Sequence, residues 1–165
     1  MAHQYHATVR WTRGGAAFTD QRYSRGHSWT FDGGITVPAS SSPLSVKLPY
    51  SVAEAVDPEE AFVAAVASCH LLTFLYVAAK QGFVVEDYSD DAVGEMTKNE
   101  RGKLWVSKVI LAPAITFAGE KRPTPEQLDE LHHLAHEECF IANSVKSEVV
   151  VRGTMSFARL ASEQA

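Results

Sequence analysis

Cysteine is scarce in this chain: Cys69 and Cys139 are the two among 165 residues. A scaffold stapled by several disulfides is therefore excluded. Positive charge is not in excess either. Lys and Arg number 15 against 20 Asp and Glu, a formal charge of −5. The basic face of a nucleic-acid binder is missing, and nothing favours an anionic membrane surface as partner. Met1–Arg10 has no basic stretch followed by an apolar run, so no secretory leader is expected and the cytosol is the expected compartment. In that compartment paired thiols serve catalysis or metal binding more often than structure. No internal repeat is visible. What is there is an ordinary soluble composition, 45% hydrophobic and 21% charged, in a length that suits one domain over 1–165.

Polar and apolar residues alternate over Tyr5–Trp11, which predicts a first strand. Further extended segments are expected over Ala17–Tyr23 and His27–Phe31, with turns at Arg13-Gly14-Gly15 and Asp32-Gly33-Gly34. Val37–Pro49 carries the run Pro38-Ala39-Ser40-Ser41-Ser42-Pro43 and reads as a surface loop. Phe83–Thr97, the turn Asn99–Gly102 and Lys103–Phe117 predict an antiparallel hairpin, with Pro113 at a bulge or an edge. Ser147–Phe157 is a closing strand.

Two helices carry clear start signals. Asp57-Pro58-Glu59-Glu60 sets a cap, a first-position proline and acids in the first turn, and Gly82 ends the helix. Thr124-Pro125-Glu126-Gln127 repeats the pattern, and Leu128, Leu131, Ala135 and Cys139 form one apolar face behind it. Strands, long helix, strands, helix and strand make an α+β order. Ala61–Ala79 has no formal charge over 19 residues, so a membrane span must be weighed. Ser68, Cys69, His70 and Thr73 stand at its centre and no Lys or Arg cluster flanks it, which argues against a span. A helix apolar all round needs cover on all sides, and a short chain with a small sheet cannot supply it alone. A second subunit is expected to cover part of it.

Several residues could carry chemistry. Cys69 and Cys139 each lie on an apolar helix face. Both could be small core residues, since free cysteine is among the most buried types. Facing helices could equally bring the sulfurs together, and a thiol beside a second thiol and a cation is the setting of a redox cysteine. His132 and His136, with Cys139 one turn on and His70 as a fourth ligand, have spacing that can hold zinc. The alternative is that His132, His133 and His136 form a solvated face. Glu59 has a structural explanation in the helix macrodipole. It precedes Cys69 by ten residues, about 15 Å on a continuous helix, so it would reach a Cys69 site more readily from another subunit. Arg22, Arg25 and His27 lie in a polar turn.

Asp57-Pro58-Glu59-Glu60-Ala61-Phe62, with Ala67-Ser68-Cys69-His70 and the helix end at Gln81-Gly82, resembles the first cysteine motif of the OsmC/Ohr family. His136–Val145 looks like its second, and Tyr23-Ser24-Arg25-Gly26-His27 is similar to its early arginine segment. The branch known for hydroperoxide resistance carries proline after the second cysteine, where this chain has Phe140.

The resemblance implies an intertwined homodimer, with two long central helices packed against antiparallel sheets. It implies a thiol peroxidase of organic hydroperoxides, with no metal and no organic cofactor. Cys69 would be the peroxidatic cysteine and Cys139 the resolving one. Arg25, with Arg22 as second choice, would stabilise the thiolate, and Glu59 would orient that arginine through a bidentate pair. Phe62, Val66, Leu72 and Phe140 would supply apolar walls. A small dithiol or a redox protein would recycle the disulfide. A zinc protein using His132, His136 and Cys139, or a non-enzymatic stress or ligand-binding protein on the same fold, are the alternatives.

Overall fold

Alternation near the start of the chain does give strands. β1 (Ala7–Arg10), β2 (His27–Phe31) and β3 (Thr36–Ala39) pair antiparallel in that order. The computed structural model describes residues 2–159, in two compact units, Met1–Ala61 and Phe62–Ala165. These three strands belong to the first. The turn at Asp32–Gly34 is present, with Gly34 at φ +84°, which glycine adopts without steric cost.

Two expectations fail in this unit. Ala17–Tyr23 is not a strand but irregular chain around a turn at Thr19–Asp20. Its rings are committed elsewhere: Phe18 stacks on Tyr23 at 4.7 Å, and Trp11 meets Tyr23 edge-on at 5.4 Å. Nor is Val37–Pro49 all surface loop. It opens in β3, and Ala39, Ser40 and Ser42 are buried. Local bonds make this tolerable, because Ser40 donates its N–H to the Val56 carbonyl at 3.0 Å and its Oγ accepts the Val52 N–H at 3.0 Å.

The helices start where their caps predict. α1 (Pro58–Lys80) opens with a reciprocal box: Glu60 N–H donates to Asp57 Oδ1 at 2.8 Å, and Asp57 N–H donates to Glu60 Oε2 at 3.1 Å. It stops before Gly82, which has φ +77°.

The predicted hairpin forms but is creased. β4 (Val84–Asp90) and β5 (Val93–Lys98) run up one arm, β6 (Leu104–Leu111) and β7 (Pro113–Ala118) down the other. β4 pairs with β7, and β5 with β6, both antiparallel, in separate sheets. At the crease Asp90 Oδ1 accepts the Ala112 N–H at 2.7 Å, replacing a ladder bond. Pro113 opens β7, where a strand tolerates the missing N–H.

The box at Thr124 and Gln127 likewise opens α2 (Pro125–Glu138). The single closing strand is cut as well. β8 (Glu148–Val151) lies parallel beside β6, and β9 (Thr154–Phe157) parallel beside β7. The α+β class holds, with mixed rather than wholly antiparallel sheets. Both parallel pairings are possible because α2 carries the chain back across the sheet.

One stripe of α1 is buried: Val66, His70, Phe74 and Val77, at helical spacing. Val66 packs with Val109 and Leu111 of β6. Phe74 and Val77 pack with Ile115 and Phe117 of β7 and with Leu128, Leu131 and Ala135 of α2. His70 stands between these two clusters and meets His132, with Nε2 to Nδ1 at 3.1 Å. His132 is therefore buried, not part of a solvated face; only its neighbour His133 is exposed, paired with Glu137 at 3.4 Å. By length and apolarity α1 could cross a membrane, but this stripe is committed to the sheets. The opposite face is open, with Leu72 64% and Tyr76 62% exposed.

Burial holds both His70 and His132 down to a pKa of about 4, against 6.5 in the open chain. The unfolded chain therefore binds more protons between those values, and stability falls as pH drops from about 6.5 toward 4. The loss expected is on the order of 3 kcal/mol for one histidine. Urea unfolding at pH 7 and pH 4.5 measures it, and equal midpoints would contradict the burial of the pair.

Candidate functional site

The two cysteines, 70 residues apart in sequence, meet in the second unit. Cys69 lies on the middle of α1, and Cys139 caps the C-terminus of α2. The two thiols are close enough to influence one another, and both are free. A short 3₁₀ turn, Ala142–Ser144, follows. Its approach points one backbone N–H at each sulfur: Ile141 to Cys69 Sγ at 3.5 Å, and Ala142 to Cys139 Sγ at 3.4 Å. Asn143 holds this loop, its Nδ2 donating to the carbonyls of Glu137 at 2.7 Å and Cys139 at 3.1 Å. Sequence reading missed these donors, because backbone groups carry no residue signature. The asparagine just past a helix end was the one available cue.

The thiols are not equivalent. Cys139 is 1% exposed. Burial, and then the neighbouring Cys69 thiol, push its thiol well above the usual range, while the Ala142 N–H pulls weakly the other way. Cys69 is partly exposed and lines a groove of about 470 Å³ with Ala65, Leu72, Tyr76, Glu138 and Phe140. Leu72 and Phe140 stand in this groove as expected. Phe62 and Val66 do not; they pack in the core beside β6. Among its described lining residues the only charge is that of Glu138, so the second unit supplies no cation there.

Arg25 and Glu59 lie in the first unit and line one pocket, with Trp11, Phe18 and Tyr23. The expected bidentate pair between them is not formed among the described residues. Arg25 Nη1 instead donates to the carbonyls of Gln21 and Tyr23, both at 2.6 Å, and its guanidinium lies 3.9 Å from the Tyr23 ring centre. These carbonyls and the ring face hold the guanidinium in place. Gln21 takes φ 62° to present its carbonyl. The Arg25 backbone is pinned too, its N–H on Tyr50 O at 2.8 Å and its carbonyl 2.8 Å from His27 Nδ1. Arg22 is exposed and absent from this lining, so Arg25 is the arginine of the pocket.

His132, His136 and Cys139 do not converge. His132 is engaged with His70, and the described residues contain no group of three ligands placed to hold a metal.

The contrast between the thiols is measurable. Iodoacetamide at pH 8 is expected to label Cys69 at least about tenfold faster than Cys139, since the thiolate is the reacting form. Peptide mass mapping reads the ratio, and urea should erase it. Equal labelling of the folded protein would contradict the buried, high-pKa Cys139.

Comparison with known proteins bears on the whole arrangement. No curated protein matches the chain. An OsmC-like protein of unknown function from Vibrio cholerae is 54% identical, with a TM-score of 0.90 over 93% of this chain and 100% of that one. An organic hydroperoxide resistance protein from Elizabethkingia anophelis shares the fold at 18% identity and TM-score 0.68, over 96% and 99% of the two chains. OhrB of Bacillus subtilis, also an organic hydroperoxide resistance protein, does so at 19% and 0.59, over 93% and 98%. The OsmC-like protein family matches residues 51–153, a span that holds both cysteines and both helices. This chain belongs to the OsmC-like protein family.

Proposed function

We propose that the protein is a thiol peroxidase that reduces organic hydroperoxides to alcohols. The observation that carries this reading is the thiol pair itself: one sulfur open to an apolar groove, a second buried against it, each with a backbone N–H. The fold shared with organic hydroperoxide resistance proteins supports it.

The Cys69 thiolate attacks the terminal oxygen of the hydroperoxide, the O–O bond breaks, and the alkoxide takes a proton to leave as the alcohol. Cys69 is left as a sulfenic acid. The Cys139 sulfur attacks it, and water departs as the disulfide closes. An external dithiol reopens the bridge by two exchanges and is itself oxidised to a disulfide. Such a dithiol belongs to a reducing compartment, and on that reading we assign the protein to the cytosol. Leu72, Tyr76 and Phe140 favour a substrate with an alkyl or aryl tail over hydrogen peroxide, because the tail gains burial.

Among the described residues the lining of the Cys69 groove holds no cation, so the charge that favours the thiolate and the leaving alkoxide has to be brought to it. Arg25 is our assignment, with Glu59 on the same pocket as its acidic neighbour. Glu59 lies ten residues before Cys69 on an unbroken α1, about 15 Å along the axis. A second subunit supplying Arg25 and Glu59 meets that geometry without bending the helix. The same homodimer covers the open face of α1, where burying Leu72 or Tyr76 is worth about 1.5–3 kcal/mol each.

One equivalent of tert-butyl hydroperoxide should lower the intact mass by about two units, mapped to a Cys69–Cys139 bridge. Cys69→Ser should lose turnover while keeping its fold by circular dichroism. Cys139→Ser should oxidise once, gaining about sixteen mass units, and then stop. Full turnover by Cys69→Ser would overturn the assignment. Arg25→Met should slow the oxidation of Cys69 by about 10²-fold or more in stopped flow, the scale of one lost transition-state donor. An unchanged rate would remove Arg25 from the site.

A further inference from the structure

His70 and His132 are a buried polar pair that the proposed cycle does not use. They are 1% and 6% exposed, and their rings stack 5.3 Å apart at 16°. One proton lies between His70 Nε2 and His132 Nδ1 when both rings are neutral, so one ring donates and the other accepts.

Gly153, in the break between β8 and β9, decides which. A Cβ there would lie 2.1 Å from His132 Nε2, so the glycine backbone presses against that edge of the ring. The outer nitrogens, His132 Nε2 and His70 Nδ1, are both buried without partners. Either polarity of the central bond therefore leaves one orphan N–H, and the question is where it costs less. An N–H at His132 Nε2 would be driven into the Gly153 backbone, where a lone pair fits. His132 thus carries its proton on Nδ1 and donates to His70, which keeps its own on Nδ1. Both rings hold the Nδ1–H tautomer, the less common one for imidazole in water.

The pair sits where it can steer the thiols. His70 follows Cys69 directly on α1, and His132 precedes Cys139 by two helical turns on α2. We propose that His132 is a positioning residue: held by Gly153, it donates to His70 and so sets the rotation of α1 that brings Cys69 to Cys139. This rests on the reading of that pair as a redox couple, but its test needs no peroxide.

The test is equilibration of the full chain with reduced and oxidised dithiothreitol. The two thiols give up two electrons and two protons as they close, and the oxidised reagent takes them up to become its dithiol. The equilibrium constant reads how well the sulfurs are held together. His132→Asn keeps an amide N–H near the Nδ1 position, whereas His132→Gln moves it toward Nε2 and Gly153. The Asn variant is expected within about twofold of the parent. The Gln variant and Gly153→Ala should each lower the constant about tenfold, equal to about 30 mV. Equal constants for the Asn and Gln variants would overturn the proposal. Nitrogen-15 spectra of the unaltered protein decide it even if a variant does not fold: both rings should carry Nδ1–H, and a proton on His132 Nε2 would overturn it. Failure of the peroxidase reading would appear differently, as a Cys69 that hydroperoxide does not oxidise while tautomers and exchange constants stay as expected.

Discussion

The 23-residue α1 seats on two separate three-stranded sheets, and the crease that divides them sets where each part of the helix packs. The ribbon breaks at Asp91–Ala92, at Ala112 and at Arg152–Gly153, one break in each of its three passes. Each half then faces its own part of α1. Val66 lies on the β5-β6-β8 half, and Phe74 and Val77 lie on the β4-β7-β9 half. His70 falls between, over the break, where two hydrophobic clusters leave room for a polar pair. Cys69 owes its place to this seating, because its neighbour on the helix is the residue that spans the join.

Local chemistry was readable, and non-local pairing was not. Asp57 with Glu60, and Thr124 with Gln127, mark both helix starts because a cap is a contact between residues three apart. The Asn99–Gly102 turn marks the hairpin for the same reason. The crease leaves little trace: Pro113 is its one signature, and a proline there suits a bulge or an edge equally well. β8 and β9 read as one strand because only two residues lie between them; their partners, β6 and β7, separate them. The serine run after Val37 looked solvated because composition cannot see that Ser40 finds the Val52 and Val56 backbones.

The site divides along the same line. Cys69, Cys139, Arg25 and Glu59 were named from motif resemblance; the structure places the two thiols side by side, and it places Arg25 and Glu59 on one pocket without an ion pair between them. What motifs concealed was the identity of each partner. Arg25 is gripped by the carbonyls of Gln21 and Tyr23 rather than by Glu59. His132 shares its helix with two other histidines, a pattern that suggests a wet face or a metal, and it turns inward where a glycine in the break between β8 and β9 makes room.

Burial distinguishes the two sulfurs. Cys69 is partly exposed beside Leu72, Tyr76 and Phe140, with the Ile141 N–H 3.5 Å from its sulfur. Cys139 is buried, and burial raises its thiol although it too has an N–H donor. In the proposed cycle the buried Cys139 would meet a sulfenic acid held against it, whereas Cys69 would have to react as the thiolate to open a peroxide bond. In the proposed cycle this asymmetry would set the order of the two sulfurs, the open Cys69 meeting the peroxide and the buried Cys139 closing the disulfide, and the guanidinium assigned to Arg25 would act on the first of these steps.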